Sequence, residues 1–262
     1  MTSATSVRAP APRTHKTAHV RFAIVAARRT GSNLLCTLLD SHADVLCHHE
    51  LFNPGGIYYA LPLRDSGFSL GTLEEREADP VAFLARVWER NLGKRCVGFK
   101  MTRGQDERVL DAVLGDANVR VIVLRRANRI KPFVSELRAE LTQRWEVYDA
   151  AQIDASCPRV QVDIDALDAY IATNEAFYAH VDAELARSGS PVLRVTYEHL
   201  FQADVQQRIL AFLGLRGDGA VLSARSVKQN SCDLHDLIEN YDALADAVTG
   251  TALARELADR GL

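Results

Sequence analysis

Arginines beside a glycine at the start of a helix bind anions, and the run Arg28-Arg29-Thr30-Gly31-Ser32-Asn33 has that make-up. The first N–H groups of a helix lack an intrahelical partner and carry the positive end of its dipole. A phosphate or sulfate placed there gains hydrogen bonds and field together. Arg28 and Arg29 add full charges, and Ser32 and Asn33 add side-chain donors or an N-cap. A second cationic run holds Arg125, Arg126, Asn128, Arg129 and Lys131, with Pro132 suited to a first helical turn and Ser135 one turn further on. Two such turns, side by side, would receive one ligand carrying two separate anionic groups.

Positioning both turns requires strands that end together. Residues 20–27 are a short apolar run, and apolar residues at 34, 35, 38 and 39 then recur at helical spacing. Further strands are predicted at 45–47, 95–100, 119–124 and 192–196, and helices from Asp79-Pro80 to Gly93 and over 106–114, 131–146, 165–188 and 204–213, with a helical C-terminus. Short apolar strands alternating with helices imply an α/β fold with a central parallel sheet and helices on both faces. In such sheets ligands sit beyond the carboxyl ends of the strands. Residues 57–79 show no clean period and read as a variable insertion over one edge of the site. Trp88, Trp145 and the Leu and Val stripes read as core.

Composition sets the outer limits. At 262 residues and 47% hydrophobic content the chain can bury one large core, expected over 19–262, behind a loose tail at 1–18 that is rich in Ala, Thr, Pro and Ser. A formal charge of -3 leaves no global basic field for nucleic acid or an anionic membrane, so anion recognition must be local. No apolar run approaches the length of a membrane span. The five cysteines are odd in number and widely separated, without a C-x-x-C pair. They point to a reduced, cytoplasmic setting. A Walker loop ends in Gly-Lys followed by Ser or Thr, and no Lys stands near Gly31, which weighs against a kinase.

In this setting the motifs resemble a known family. Arg29-Thr30-Gly31-Ser32-Asn33-Leu34-Leu35 looks like the 5′-phosphosulfate loop of sulfotransferases. Arg125-Arg126 through Ser135-Glu136-Leu137-Arg138-Ala139 is similar to their 3′-phosphate motif. Val97-Gly98-Phe99-Lys100, Val195-Thr196-Tyr197-Glu198-His199-Leu200 and Lys228-Gln229-Asn230 follow in the family's order. The resemblance covers about 20–245 and is to the bacterial carbohydrate branch, trehalose- and nodulation-factor-like. Thr30 and Asn33 depart from its usual Ser and Thr.

That resemblance implies a P-loop-like sulfotransferase fold and metal-free transfer of a sulfuryl group from 3′-phosphoadenylyl sulfate (PAPS). The acceptor would be a small molecule or a carbohydrate. Carried over by position, Arg28, Arg29, Thr30, Gly31, Ser32 and Asn33 would hold the 5′-phosphosulfate, and Arg125 or Arg126 with Ser135 the 3′-phosphate. Lys228 would close a C-terminal loop over that phosphate. Arg29 and Lys100 would serve the leaving group and the sulfuryl oxygens. In the phenol and steroid branch the base is a His two residues after the strand-end Lys, but here Met101 and Thr102 follow Lys100. Glu50, in Glu50-Leu51-Phe52, resembles the glutamate base of the trehalose branch. His48 or His49 would orient Glu50 or touch the acceptor, and a metal at His42, His48, His49 and Glu50 is disfavoured because adjacent residues on an extended segment point apart. Glu198 reads as a structural tie to the sheet. The rival readings are a kinase and a non-catalytic nucleotide-binding module; a homodimer is left open.

Overall fold

Strand β1 (Val20–Ala26) is apolar on both sides from Phe22 onward, and both sides are covered there. Phe22, Ile24 and Ala26 pack with the leucines of α1 (Ser32–Asp40) and with Ile209 and Leu210 of α7 (Ala203–Phe212). Ala23 and Val25 face the opposite way, onto α3 (Pro80–Glu89), α4 (Glu107–Gly115) and α6 (Ile164–Ser188). A strand buried on two faces has no polar face, which is why its sequence is a continuous apolar run rather than an alternation. The computed structural model describes residues 19–146, 158–216, 222–224 and 233–260. The expected tail at 1–18 and Lys228 lie outside these residues.

With β2 (Val45–His48), β3 (Cys96–Thr102), β4 (Val119–Arg125) and β5 (Val192–Thr196), β1 forms a parallel five-stranded sheet in the order β2-β3-β1-β4-β5. The expected α/β class is therefore present. Central β1 pairs with β3 and β4, Ala26 lying beside Thr102 and Leu124. The turns that leave these strands consequently share one rim, while the chain crosses the sheet between β2, β3 and β4, the kind of strand-order reversal that opens a ligand crevice. At Gly98 a side chain would collide with the Phe22 backbone oxygen at 2.4 Å, so glycine permits the close approach of β3 to β1. Phe52, Phe83, Trp88 and Phe99 interlock by ring contacts below the β2–β3 edge. A fully buried phenylalanine contributes on the order of 1.5–3 kcal/mol.

Boundaries differ from the sequence reading in two places that affect the site. Strand β3 continues to Thr102, which puts Lys100 inside the strand and leaves it 2% exposed. Helix α5 (Ile130–Thr142) stops short of 146, because Gln143 takes a left-handed conformation (φ 55) and turns the chain. The segment 57–79 is also more ordered than its pattern suggests. It contains α2 (Leu73–Ala78), begun by a capping box in which the Thr72 hydroxyl accepts from the Glu75 N–H and the Glu75 carboxylate from the Thr72 N–H. Buried Arg76 on that helix donates to the carbonyls of Leu51, Asn53 and Gly56, pinning the loop that carries Glu50.

A smaller core joins α5 and the start of α6 to α8 (Leu234–Leu237), α9 (Tyr241–Val248) and α10 (Ala252–Leu257). Arg129 pairs with Glu256 at 2.6 Å and Lys131 with Asp259 at 3.1 Å, so these two cations of the second run fix the start of α5 rather than facing a ligand. The Asn128 side-chain oxygen accepts the N–H groups of Ile130 and Lys131. Of the described residues, no helix is long and apolar enough to cross a membrane.

Candidate active site

The turn after β1 is shaped by two left-handed residues, Arg29 (φ 59) and Gly31 (φ 93). Gly31 is the N-cap of α1, and no side chain caps the helix. Of the two roles open to Ser32 and Asn33, donor or N-cap, the cap is taken by Gly31, and the Asn33 side chain contacts Lys100 instead. The first helical bond runs from the Leu35 N–H to the Gly31 carbonyl, which leaves the earlier N–H groups of α1 without intrahelical acceptors. A Cβ on Gly31 would stand 2.2 Å from the Tyr197 ring, so glycine here answers both a backbone and a packing demand. Thr30 is buried and donates its hydroxyl to the Ala27 carbonyl at 2.8 Å, bracing the turn from inside. Arg28 donates to the Arg103 carbonyl and pairs with Glu136 at 3.6 Å.

The turn after β4 lies against it. Arg126 donates to the Arg29 carbonyl at 3.4 Å and stacks on Tyr197 with 4.4 Å to the ring centroid, while its Nε is buried with no hydrogen-bond partner among the described residues. Burial lowers the pKa of both the Arg126 and Arg29 guanidiniums, and each is a like charge near the other. Both stay protonated, so an anion between them would offset an electrostatic cost the fold already carries. Arg125 points away: it pairs with Asp182 at 2.7 Å and covers the Tyr178 ring at 4.2 Å. Of the two arginines left open by spacing, Arg126 faces the first turn. Ser135 accepts from Arg29 Nε at 3.0 Å, and Glu198 accepts from the Ala127 N–H, a tie to the β4 end.

The third component comes from β2 and β3. Lys100 Nζ donates to the Asn33 side-chain oxygen and to Glu50 Oε1, the latter at 2.9 Å. Glu50 also accepts from Asn53 at 2.5 Å, and Thr102 approaches it at 3.5 Å. Burial pushes the Glu50 carboxyl up, but the Lys100 charge and hydrogen bond outweigh it and hold the group below the ordinary glutamate value. A second carboxylate, Glu146, stands 3.6 Å from Lys100 Nζ and 3.6 Å from His49 Nδ1, and 3.2 Å from Arg64. One ammonium thus faces two carboxylates.

The adjacent histidines diverge, as an extended segment requires. His48 is buried beside Tyr59 and Phe68, accepts the Ala60 N–H at Nδ1, and has no partner at Nε2 among the described residues. Burial, with the neighbouring His49, lowers its pKa to about 3. His49 turns toward Cys36 and Glu146; burial opposes its charge, yet those two neighbours raise its pKa to about 9. His48 thus meets the Ala60 N–H and His49 the Glu146 carboxylate. No group of three metal-ligating side chains occurs among the described residues.

Sequence reasoning thus brought Arg29, Gly31, Asn33, Glu50, Lys100, Arg126 and Ser135 to one rim, and it missed four residues. Tyr178 accepts the Ala27 N–H at 2.8 Å and donates to the Leu124 carbonyl at 2.7 Å, locking the ends of β1 and β4 together. Tyr197 supplies the floor under Gly31 and Arg126. Arg64 enters through a segment without periodicity, and Glu146 through the stretch after Thr142, expected to continue the helix. Only Tyr197 had a signal, as part of a motif already singled out. Trp145, expected in the core, is 38% exposed, and its carbonyl accepts from Arg29 Nη1 at 2.6 Å; Trp88 is buried as expected.

Comparison with known proteins adds a relative. No protein-family model matches the chain. It is 27% identical over 230 residues to Nodulation protein H of Rhizobium meliloti (strain 1021), spanning 85% of this chain and 89% of that protein. Among solved structures it is similar to a sulfotransferase from Alicyclobacillus acidocaldarius (TM-score 0.47, 18% identity, 92% of this chain and 94% of that one). It is likewise similar to the sulfotransferase domain of the Synechococcus PCC 7002 olefin synthase (TM-score 0.44, 18% identity, 97% and 96%).

Proposed function

We propose that this chain, an enzyme of the bacterial sulfotransferase kind, draws its sulfuryl group from PAPS and passes it to a hydroxyl of a carbohydrate, glycolipid or small natural product. The observation that carries the reading is the Lys100 bridge, which ties Asn33 of the cationic turn to Glu50 of the β2 loop. On this reading the bridge brings the residue that would stabilise charge and the residue that would take a proton to one point on the rim.

The donor's chemistry matches the two turns. The N-terminus of α1 with Arg29 would receive the 5′-phosphosulfate, and Arg126 with Ser135 the 3′-phosphate. The partnerless Arg126 Nε is the buried donor such a phosphate would satisfy. In the transfer, the acceptor oxygen forms a bond to sulfur as the bond from sulfur to the 5′-phosphate oxygen breaks. The hydroxyl proton goes to Glu50, and the electron pair of the breaking bond goes to the phosphate. Lys100 and Arg29 neutralise charge growing on the sulfuryl oxygens and the leaving phosphate, in a site that holds them ready. Arg28, Thr30, Gly31, Ser32 and Asn33 complete the turn that would hold the 5′-phosphosulfate. Lys228 keeps its proposed role over the 3′-phosphate, and the cytoplasm its place as the proposed setting.

The test is calorimetric titration with 3′-phosphoadenosine 5′-phosphate against ATP, with and without magnesium. Metal-independent binding of the bisphosphate, with ATP much weaker, is the expected result. Preference for magnesium-ATP, or no nucleotide binding by folded protein, would overturn the reading in favour of a kinase or a binding module.

A further inference from the structure

We propose that residues 143–146 form an internal anionic strap over the donor site: the Glu146 carboxylate and the Trp145 carbonyl hold Lys100 and Arg29 until the donor's own anionic groups displace them. The inference rests on the donor reading above and adds to it a control on donor affinity.

The geometry has four parts. Left-handed Gln143 ends α5 and sends the chain back across the rim. Two residues on, the Trp145 carbonyl accepts from Arg29 Nη1 at 2.6 Å. Next, Glu146 directs Oε1 to Lys100 Nζ and to His49 Nδ1, each at 3.6 Å, and Oε2 to Arg64 at 3.2 Å. Finally, the Trp145 side chain is 38% exposed, so its large apolar surface does not anchor the segment in the core.

A segment held by charge at a cationic site competes with any anionic ligand for the same donors. Glu50 also contacts Lys100, but it belongs to the β2 loop that Arg76 pins in place. Glu146 follows the left-handed turn at Gln143, beside the exposed Trp145, and it is the carboxylate taken to leave. Its departure removes a negative charge from the position where the donor's sulfuryl oxygens are proposed to lie. Arg64, from the 57–79 segment, would be released in the same step, coupling donor arrival to the segment over that edge of the site.

The experiment uses the full chain and 3′-phosphoadenosine 5′-phosphate as the probe. Glu146→Gln keeps the side-chain shape and removes its charge. The proposal expects the bisphosphate to bind the variant about tenfold more tightly than the native protein at low salt, and the gap to narrow at high salt. Glu74→Gln, on the exposed face of α2, controls for net charge and leaves affinity unchanged. Trp145 is one of only two tryptophans and Trp88 is buried, so acrylamide quenching reads the strap directly and should rise when the bisphosphate binds. Equal or weaker binding by Glu146→Gln, or binding that leaves Trp145 quenching unchanged, would overturn the strap while leaving the donor reading intact. Failure of both proteins to bind the bisphosphate would remove the donor reading and the strap with it. Binding by Glu146→Gln alone would support both.

Discussion

Arg29 donates from Nε to the Ser135 hydroxyl at 3.0 Å, across a sequence separation of 106. The contact joins the turn after β1 to the helix after β4, so the two proposed phosphate sites are one connected surface. Removing the hydroxyl in Ser135→Ala should weaken 3′-phosphoadenosine 5′-phosphate binding about fivefold, the worth of one hydrogen bond of about 1 kcal/mol. Arg126→Ala should cost more than tenfold, since hydrogen bonds to a charged group are stronger. Arg125→Ala, which removes the pair with Asp182, should leave affinity unchanged and lower stability by less than about 1 kcal/mol. Calorimetry and urea unfolding on the three variants separate the roles; weakened binding in Arg125→Ala alone would reverse the assignment.

Glu50 is held in its charged form by Lys100, and the sign of the pH effect follows. Its pKa in the folded protein is below the unfolded value, so its contribution to stability is present above about pH 4.3 and is lost as pH falls through the lower folded value. The acid limb of kcat/KM should therefore lie below about pH 4.3, and Lys100→Met should move the limb of its residual activity upward. Glu50→Gln should lower kcat by about 10²–10⁴ with bisphosphate binding retained. A pH–rate profile of the native protein and both variants checks the set.

Gly31→Ala meets two obstacles at once. The left-handed backbone costs an alanine about 1–2 kcal/mol, and the new methyl would overlap the Tyr197 ring. Urea unfolding should show a loss larger than the backbone figure. Combining Gly31→Ala with Tyr197→Ala should recover the part due to overlap and not the rest. Additive losses in that double-mutant cycle would mean that the ring and the glycine are uncoupled.

The adjacent histidines are shifted in opposite directions, and their effects on stability should be opposite too. His48, lowered to about 3, binds its proton more readily unfolded, so its effect is a loss of stability as pH falls from about 6.5 toward 3. His49, raised to about 9, binds its proton more readily folded, and stability it supplies below about pH 6.5 is lost as pH rises toward 9. Denaturation across pH should lose the alkaline slope in His49→Gln and the acidic one in His48→Gln. Direct titration of the two imidazoles by NMR provides the independent check.

The sequence by itself determined most of the elements, α2 excepted, and the two cationic turns of the candidate site. Runs such as Phe22 to Ala26 and Val121 to Leu124 can only be strands buried on both faces, and the Leu34, Leu35, Leu38 and Leu39 spacing can only present one stripe to a sheet. The cations that follow each strand were therefore bound to fall at strand ends. What only the tertiary structure decided was which atoms meet there. Sheet order put β4 beside β1, so that Arg126 and not Arg125 turns to Arg29; a one-residue difference reverses the face a side chain takes at the end of a strand. The left-handed Gly31 displaced Asn33 from the cap and freed it for Lys100. Arg64 came from a segment with no periodic signal and Glu146 from the end of a stretch read as helix, and the chain Arg64–Glu146–Lys100 depends on contacts between residues far apart in the sequence, which local pattern does not encode.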